Sequence, residues 1–542
     1  MKNNLYRGLT ALTLSTALLG LSTSCTKDLD QTPKYELSPD KVYVGLNGYK
    51  QVLAKLYGGF ALSGSNGPDS GDITGIDAGT SNYLRQLWSA QEITTDEAVI
   101  AWNDPGLQDW HNLNWDSNNP LIRGLYNRCY YQIATCNEFI RESADDKLGS
   151  RLAGAEVAQG KVFRAEARFL RAVSYSHIID LFGNGPFVTE ANEIGGAAPQ
   201  YYTRKQLYDF VESELLALTT ELAPARTNEY GRIDQAAAHG YLARLYLNAG
   251  VYTGTPQFAK AADEAKKVVD SGYTLVTAAS PASSAYGRNF LADNNLPPAA
   301  NEIIWPVIFD VSRVQSYGGT TFLVNGATSG VDGAWQRYVG QSTGWGGLRT
   351  TSALVDKFFL AGGDTLKDTR GRFWTPGQTL AINDLSQFTQ GLGVTKYRNI
   401  TSAGVGQGGP QNFSSVDFPM LRLSDMMLTY AEAAIEGGGS RATALEYVNQ
   451  LRARAFKGST GAITDAQMTK QFILDERARE LHWEGTRRTD LIRHNQFTTA
   501  TYLWPWKGGV AAGRSVDVYR SLFPIPSSDI TVNPNLKQNP GY

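Results

Sequence analysis

The sequence predicts a mainly α-helical fold, with helices paired in the manner of tetratricopeptide repeats and one loop-rich, irregular lobe. Three observations carry this reading. Apolar residues recur at helical spacing through most of the first half of the chain. Two stretches share one helix-turn-helix pattern. Between Ala278 and Asp417 the helical spacing fades into sequence rich in glycine and aromatic residues.

Taken in order, the helical patterns run over Val42 to Phe60, Leu121 to Arg141, Val157 to Phe182, Arg204 to Leu222, Asp234 to Ala249 and Gln257 to Ser271. In the third, Phe163, Ala167, Leu170, Ile178 and Leu181 form the apolar stripe, Arg164, Glu166, Arg168 and Arg171 fill other faces, and Phe182-Gly183-Asn184-Gly185-Pro186 stops the helix. The first repeat carries Leu242, Leu245 and Ala249, an expected turn at Gly250, then Phe258, Ala262, Ala265 and Val269. The second carries Leu428, Ala431 and Ile435, a turn at Gly437-Gly438-Gly439, then Ala444, Val448, Leu451 and Ala455. Small residues where paired helices cross, joined by a short turn, are the tetratricopeptide pattern, in which stacked pairs bury each other's apolar faces. Helices return at Asp425, Thr443 and Thr469 and end near Asn495. Phe523-Pro524-Ile525-Pro526 and the Asn- and Pro-rich tail are expected as extended coil on the surface.

The first residues read as a targeting segment. Lys2 and Arg7 precede an uncharged run from Leu9 to Leu21 that is too short to span a bilayer. It ends in Ser22-Thr23-Ser24-Cys25, which looks like a lipobox with its leucine one step early, so Cys25 is expected to be lipidated and to become the mature N-terminus. The organisation is therefore a signal peptide over 1–24, a tether over 25–40, a helical repeat-rich scaffold over 41–277, the irregular lobe over 278–417, and C-terminal helices with an extended tail over 418–542. Length alone suggests roughly three or four domain-sized units.

Lys plus Arg number 50 against 52 Asp plus Glu, a formal charge of -2, so no basic field exists to hold nucleic acid. Glycine (55), tyrosine (27) and tryptophan (11) are abundant, a mixture that suits long loops presenting flat aromatic faces. Cys129 and Cys136 fall on one predicted helix, about 10 Å apart along its axis, beyond disulfide reach, and read as small core residues.

Several segments, in one order along almost the whole mature chain, resemble the SusD/RagB family of outer-membrane nutrient-binding lipoproteins of the Bacteroidota. Asp28-Leu29-Asp30-Gln31-Thr32-Pro33 looks like the family's opening, and Thr94-Thr95-Asp96-Glu97 like its TDE turn. Arg164 to Ala172, RAEARFLRA, followed by Tyr175 and Phe182-Gly183, is similar to its GEARFLRA helix with the Tyr and Phe-Gly that follow it. Asn301-Glu302-Ile303-Ile304, Pro419 to Asp425 and Tyr430-Ala431-Glu432-Ala433 fit further motifs. Asp475 to Leu481, Glu484 to Arg493, and Asn533 to Tyr542 match most closely. The resemblance implies a SusD-like fold in which 41–542 form one unit. It also implies a lipoprotein that sits as a lid on a SusC-like TonB-dependent transporter and delivers captured glycan, or in some members peptide.

Catalytic chemistry is hard to find in the residues. The histidines His111, His177, His239, His482 and His494 lack metal-ligand spacing, and no nucleophile motif occurs. Glu476, Glu480 and Glu484 share a helix face, as a glycoside hydrolase's acid and base would, but the interleaved Arg477, Arg479, Arg487 and Arg488 favour a structural ion-pair network. Asp69, Asp72 and Asp77 miss the spacing of a calcium loop. No metal or cofactor is expected.

Sugar binding needs flat apolar faces against pyranose rings and hydrogen-bonding groups at their edges. Trp102, after the TDE turn, and Trp335 and Trp345, in the irregular lobe, are the first candidates, each expected on an exposed loop. Gln336, Arg337 and Tyr338 are expected beside them, with Gln341 and Ser342 nearby. Trp305 and Trp483 read as structural. Glycan capture leads, ahead of peptide capture by the same architecture and a surface glycoside hydrolase.

Overall fold

The computed structural model describes residues 38–79, 81–358, 368–409, 412–456 and 461–542. Cys25, the leader and the tether up to residue 37 lie outside the described residues.

The first half is built from helices Gly45–Ala61, Tyr83–Glu92, Pro120–Glu142, Ala155–Leu181, Arg204–Glu221, Gln235–Leu247 and Phe258–Val269. Local chemistry fixes their ends. Asn119 caps the helix that opens with Pro120 by accepting from the Leu121 and Ile122 amides, both at 3.1 Å. Thr203 and Gln206 form a capping box. The predicted turn at Gly250 needs correction. A short helix, Ala249–Thr253, continues there, and the chain reverses at Gly254, whose φ of 79° ends it. Gly254 supplies the left-handed conformation that other residues adopt at a cost, whereas Gly250 lies within the short helix.

The second pair is Leu423–Ile435 and Arg441–Ala455, and it stacks directly on the first, with Phe258–Val269 packed against Leu423–Ile435. The approach is close enough to require glycine: a methyl group on Gly438 would lie 2.3 Å from the Phe258 carbonyl carbon. The irregular lobe is thus an insertion between two adjacent repeats. Its base is closed by strand Ile303–Val307, which pairs antiparallel with Phe418–Arg422, all of whose residues are buried.

One continuous apolar core runs from Tyr43 to Leu536. Trp305 sits within it, edge-on to Phe60 at 5.4 Å and to Phe169 at 5.6 Å, as a structural residue should. Trp483 is also buried, its indole donating to the Glu97 carbonyl at 3.0 Å. Cys129 and Cys136 are buried free thiols. The C-terminal tail is extended over Leu522–Pro526 but is more than a surface strap. Phe523 and Ile525 are fully buried, with Phe523 meeting Trp115 at 4.7 Å and Trp110 at 5.3 Å. Asn539 donates to the Phe182 carbonyl at 2.7 Å and the Phe523 carbonyl at 2.8 Å, so burial and hydrogen bonds together seat the tail.

No helix among the described residues is long and apolar enough to cross a membrane.

Candidate functional site

The three candidate tryptophans divide into two groups, and local backbone pairing explains the division. Val99–Ile100 pairs antiparallel with Leu348–Arg349, and the Ala101 amide extends the ladder to the Gly347 carbonyl at 2.9 Å. That register carries Trp102 over Gly347, where any Cβ would fall 2.4 Å from the indole Cε2, and only glycine leaves room. The Trp102 indole then donates to the Trp345 carbonyl at 3.3 Å. The Trp345 segment is itself laced to the end of helix Gly319–Gly326: the amides of Trp345 and Gly347 donate to the carbonyls of Asn325 and Gly326 at 2.7 and 2.8 Å.

Tyr317 immediately precedes that same helix and completes the group. Ring centroids of Trp102 and Trp345 are 6.3 Å apart with planes inclined by 45°, and those of Trp345 and Tyr317 are 6.4 Å apart, inclined by 52°. Three partly exposed rings, each tilted on the next, form a curved platform. Arg85 supports it from the first turn of helix Tyr83–Glu92. Its guanidinium lies 4.3 Å from the Phe322 ring centroid and 5.9 Å from that of Trp102, and donates to the Gly79 carbonyl at 2.7 Å. Burial lowers this guanidinium to about 10, against the opposing pull of Asp104 and Asp77. Asn103 and Asp104, which follow Trp102 directly, are exposed.

Trp335 is elsewhere, and the expectation that it is exposed is corrected: it is 1% exposed. It lies on a short helix, Gly333–Val339, capped by Asp332. There its ring stacks with Trp374 at 5.3 Å and Phe388 at 5.6 Å. Gln336 and Arg337 share that helix and not the platform; the Gln336 amide donates to the Ser329 carbonyl at 3.0 Å, and Arg337 is exposed. Tyr338 is 37% exposed and turned toward Trp374, 5.7 Å away. Gln341 and Ser342 are used structurally, both bonding Asn412.

The expectation that Glu476, Glu480 and Glu484 share one helix face is corrected: the helix Lys470–Leu481 ends before Glu484, where Trp483 and Gly485 take positive φ, and all three carboxylates are enclosed. Glu476 meets Arg370, Arg452 and Arg479 at 2.8, 2.8 and 2.7 Å, and Glu480 meets Arg422 at 2.7 Å and also Arg454. Glu484 meets Arg422 at 2.6 Å and Lys396 at 2.7 Å. Burial raises the Glu476 carboxyl, but the surrounding guanidiniums overcome it and hold the group down at about 2. A buried, fully paired carboxylate has no access to a glycosidic bond; this is an ion-pair network. The histidines are packed as well: burial pushes His111 and His177 down to about 4, and His494 bonds Glu432 at 2.8 Å. Among the described residues no three or more His, Cys, Asp or Glu side chains gather as metal ligands.

Comparison with known proteins agrees with this architecture. The SusD family matches over residues 369–542, and a family described as "Starch-binding associating with outer membrane" matches over residues 46–247. The "Starch-binding protein SusD" of Bacteroides thetaiotaomicron is 33% identical, with 100% of both chains covered. The "SusD-like protein P2" of Formosa agariphila is 24% identical over 80% of this chain and 83% of its own. Among solved structures, a SusD homologue from Bacteroides thetaiotaomicron superposes with a TM-score of 0.70 at 19% identity, over 95% of this chain and all of its own. The surface glycan-binding protein A of Bacteroides fluxus gives 0.66 at 18%, over 92% of this chain and 99% of its own. At such identities the structures establish shared fold alone, whereas the full-length sequence relationship goes further: the chain belongs to the SusD family.

Proposed function

We propose that this protein captures glycan, specifically α-linked glucan, at the outer membrane and delivers it to a SusC-like TonB-dependent transporter without chemically altering it. Lipid on Cys25 holds it at the membrane, facing the cell exterior. The observation that carries the reading is the arc of Trp102, Trp345 and Tyr317, whose successive planes incline by 45° and 52°. Each ring removes water from one apolar sugar face, and the inclination suits a chain whose successive residues turn, as α-1,4-linked glucose does. Asn103, exposed next to Trp102, offers an amide to hydroxyl groups, while Arg85 holds the platform from behind. Support for the ligand class comes from the name of the relative at 33% identity, a starch-binding protein, and from the description of the family matched over residues 46–247, which also names the outer membrane. The names of these relatives describe binding rather than catalysis.

Calorimetric titration with maltoheptaose and cellohexaose tests the reading. Maltoheptaose is expected to bind at least tenfold more tightly, since the extended β-linked chain follows a curved surface poorly. Equal affinity for the two, or no binding of maltoheptaose, contradicts it.

A further inference from the structure

We propose a second pyranose-binding subsite on the irregular lobe, formed by Tyr338 and Trp374 with Arg372 and Ser283 at its edge; the proposal rests on the glycan reading of the first platform. The two rings meet at one corner of a groove of about 560 Å³, large enough for one or two sugar residues. Tyr338 is fixed from beneath: the Arg398 guanidinium lies 3.9 Å from its ring centroid, tied down by bonds to the carbonyls of Tyr338 and Ala282 at 2.9 and 2.8 Å. A ring held on one side by a bound cation, and 37% exposed, presents its remaining surface without the entropy loss of a free side chain.

The groove wall also has unused hydrogen-bonding capacity. Ser280 Oγ, Ser283 Oγ, Arg372 Nε and Trp374 Nε1 have no partner within the protein and are covered, so a ligand in the groove, which all four residues line, reaches them only after side-chain rotation. Arg372 reaches Ser284 Oγ through Nη2 at 2.8 Å, while Asp368, the acid lining the same groove, is already paired with Arg370 at 2.7 Å. Polar groups without a partner inside the protein are costly to leave unbonded. A sugar brings vicinal hydroxyls that can bond the Arg372 guanidinium and the two serine hydroxyls once these side chains rotate toward the groove, while its apolar face covers Tyr338.

The two platforms share a wall. Phe388 lies beneath Gly346, the neighbour of Trp345, where a Cβ would sit 3.6 Å from the ring; Trp335 stacks on Phe388 and Trp374 stacks on Trp335. A rigid spacer between a tighter and a weaker site lets a polymer long enough to reach both occupy them together, which raises affinity for a long chain more than for a short one such as maltoheptaose, which fills each site separately.

Titration with maltoheptaose of the full mature chain, of Trp102→Ala/Trp345→Ala and of Tyr338→Ala/Arg372→Ala tests the assignment, with Tyr338→Ala alone as a milder variant. The unaltered protein is expected to bind two equivalents, the second at least tenfold more weakly. The first variant keeps only the weak equivalent, and the second keeps only the tight one. A single equivalent that disappears in Trp102→Ala/Trp345→Ala and persists unchanged in Tyr338→Ala overturns the second site and leaves the glucan reading standing. No binding by the unaltered protein overturns both.

Discussion

The Arg487 guanidinium closes on both carboxylate oxygens of Asp96, Nε to Oδ1 at 2.7 Å and Nη2 to Oδ2 at 2.8 Å. The two residues come from motifs at opposite ends of the chain, the Thr94–Glu97 turn and the Glu484–Arg493 segment. Asp96 also accepts from Tyr502 at 2.5 Å, and its carbonyl accepts from Thr351 at 2.7 Å. The turn that aims Trp102 is therefore held by the C-terminal segment and by the irregular lobe together.

Truncating Arg487 to Ala leaves a buried carboxylate with only Lys357, 3.9 Å away, as counter-charge, and urea unfolding is expected to report a loss of about 3 kcal/mol. Burial raises the Asp96 carboxyl, but Arg487 more than offsets this and holds it at about 2. The pair's contribution is accordingly full above the unfolded value near 3.9 and fades as pH falls toward about 2. A loss below about 1 kcal/mol would assign the pair a minor role.

Asp417 behaves in the opposite sense. Burial pushes its carboxyl up to about 7, even though Tyr230 and the Phe309 amide each donate to it at 2.9 Å. The folded state binds the proton that the unfolded chain releases near pH 3.9, so stability falls as pH rises from about 4 to about 7; the difference in pKa caps the fall at about 4 kcal/mol. Asp417→Asn, which cannot ionise, is expected to flatten that part of the stability–pH curve. An unchanged slope means that Asp417 ionises normally in the fold.

Helices and repeats were legible because their signal is periodic: an apolar stripe every three or four residues survives in any context. Trp102 and Trp345 were legible as loop aromatics, but their partner Tyr317 was not. It stands 28 residues before Trp345, and only the lacing of residues 345–347 to helix Gly319–Gly326 unites them. The Ser316-Tyr317-Gly318-Gly319 run, an aromatic beside glycines ahead of a short helix, was the available signal. Arg85 resembled any polar residue on an amphipathic helix. Trp335 misled because a seven-residue helix is too short to show a period, and its glycine and amide neighbours looked like a loop. That Glu476, Glu480 and Glu484 belong to an ion-pair network was legible from the interleaved charges, but its partners were not. Of the four arginines nearby in sequence only Arg479 meets one of the three, Arg477 and Arg487 pair with Asp490 and Asp96, and Arg370, Arg422 and Arg454 arrive from segments that no local pattern connects.

The proposed anchor makes a separate prediction. Cys25→Ala is expected to yield an exported, folded protein that leaves the membrane fraction, since lipid supplies the apolar contact that holds the chain there. Incorporation of labelled fatty acid is expected in the unaltered protein and absent from the variant. Labelling that persists in Cys25→Ala places the lipid on another residue.

The curved platform is tested most directly by titrating maltoheptaose into Trp102→Ala, Trp345→Ala and Tyr317→Ala, with Trp335→Ala as the contrasting variant and thermal unfolding followed on all four. Each of the first three is expected to lose about 1–3 kcal/mol of binding; Trp102 and Trp345 also pack partly against the core, so some stability is lost with them, but less than with a fully buried ring. Trp335, 1% exposed, is expected to lose about 3–5 kcal/mol of stability and to bind through its folded fraction. If the three platform variants bind maltoheptaose as tightly as the unaltered protein, the arc of Trp102, Trp345 and Tyr317 is not where glycan is held.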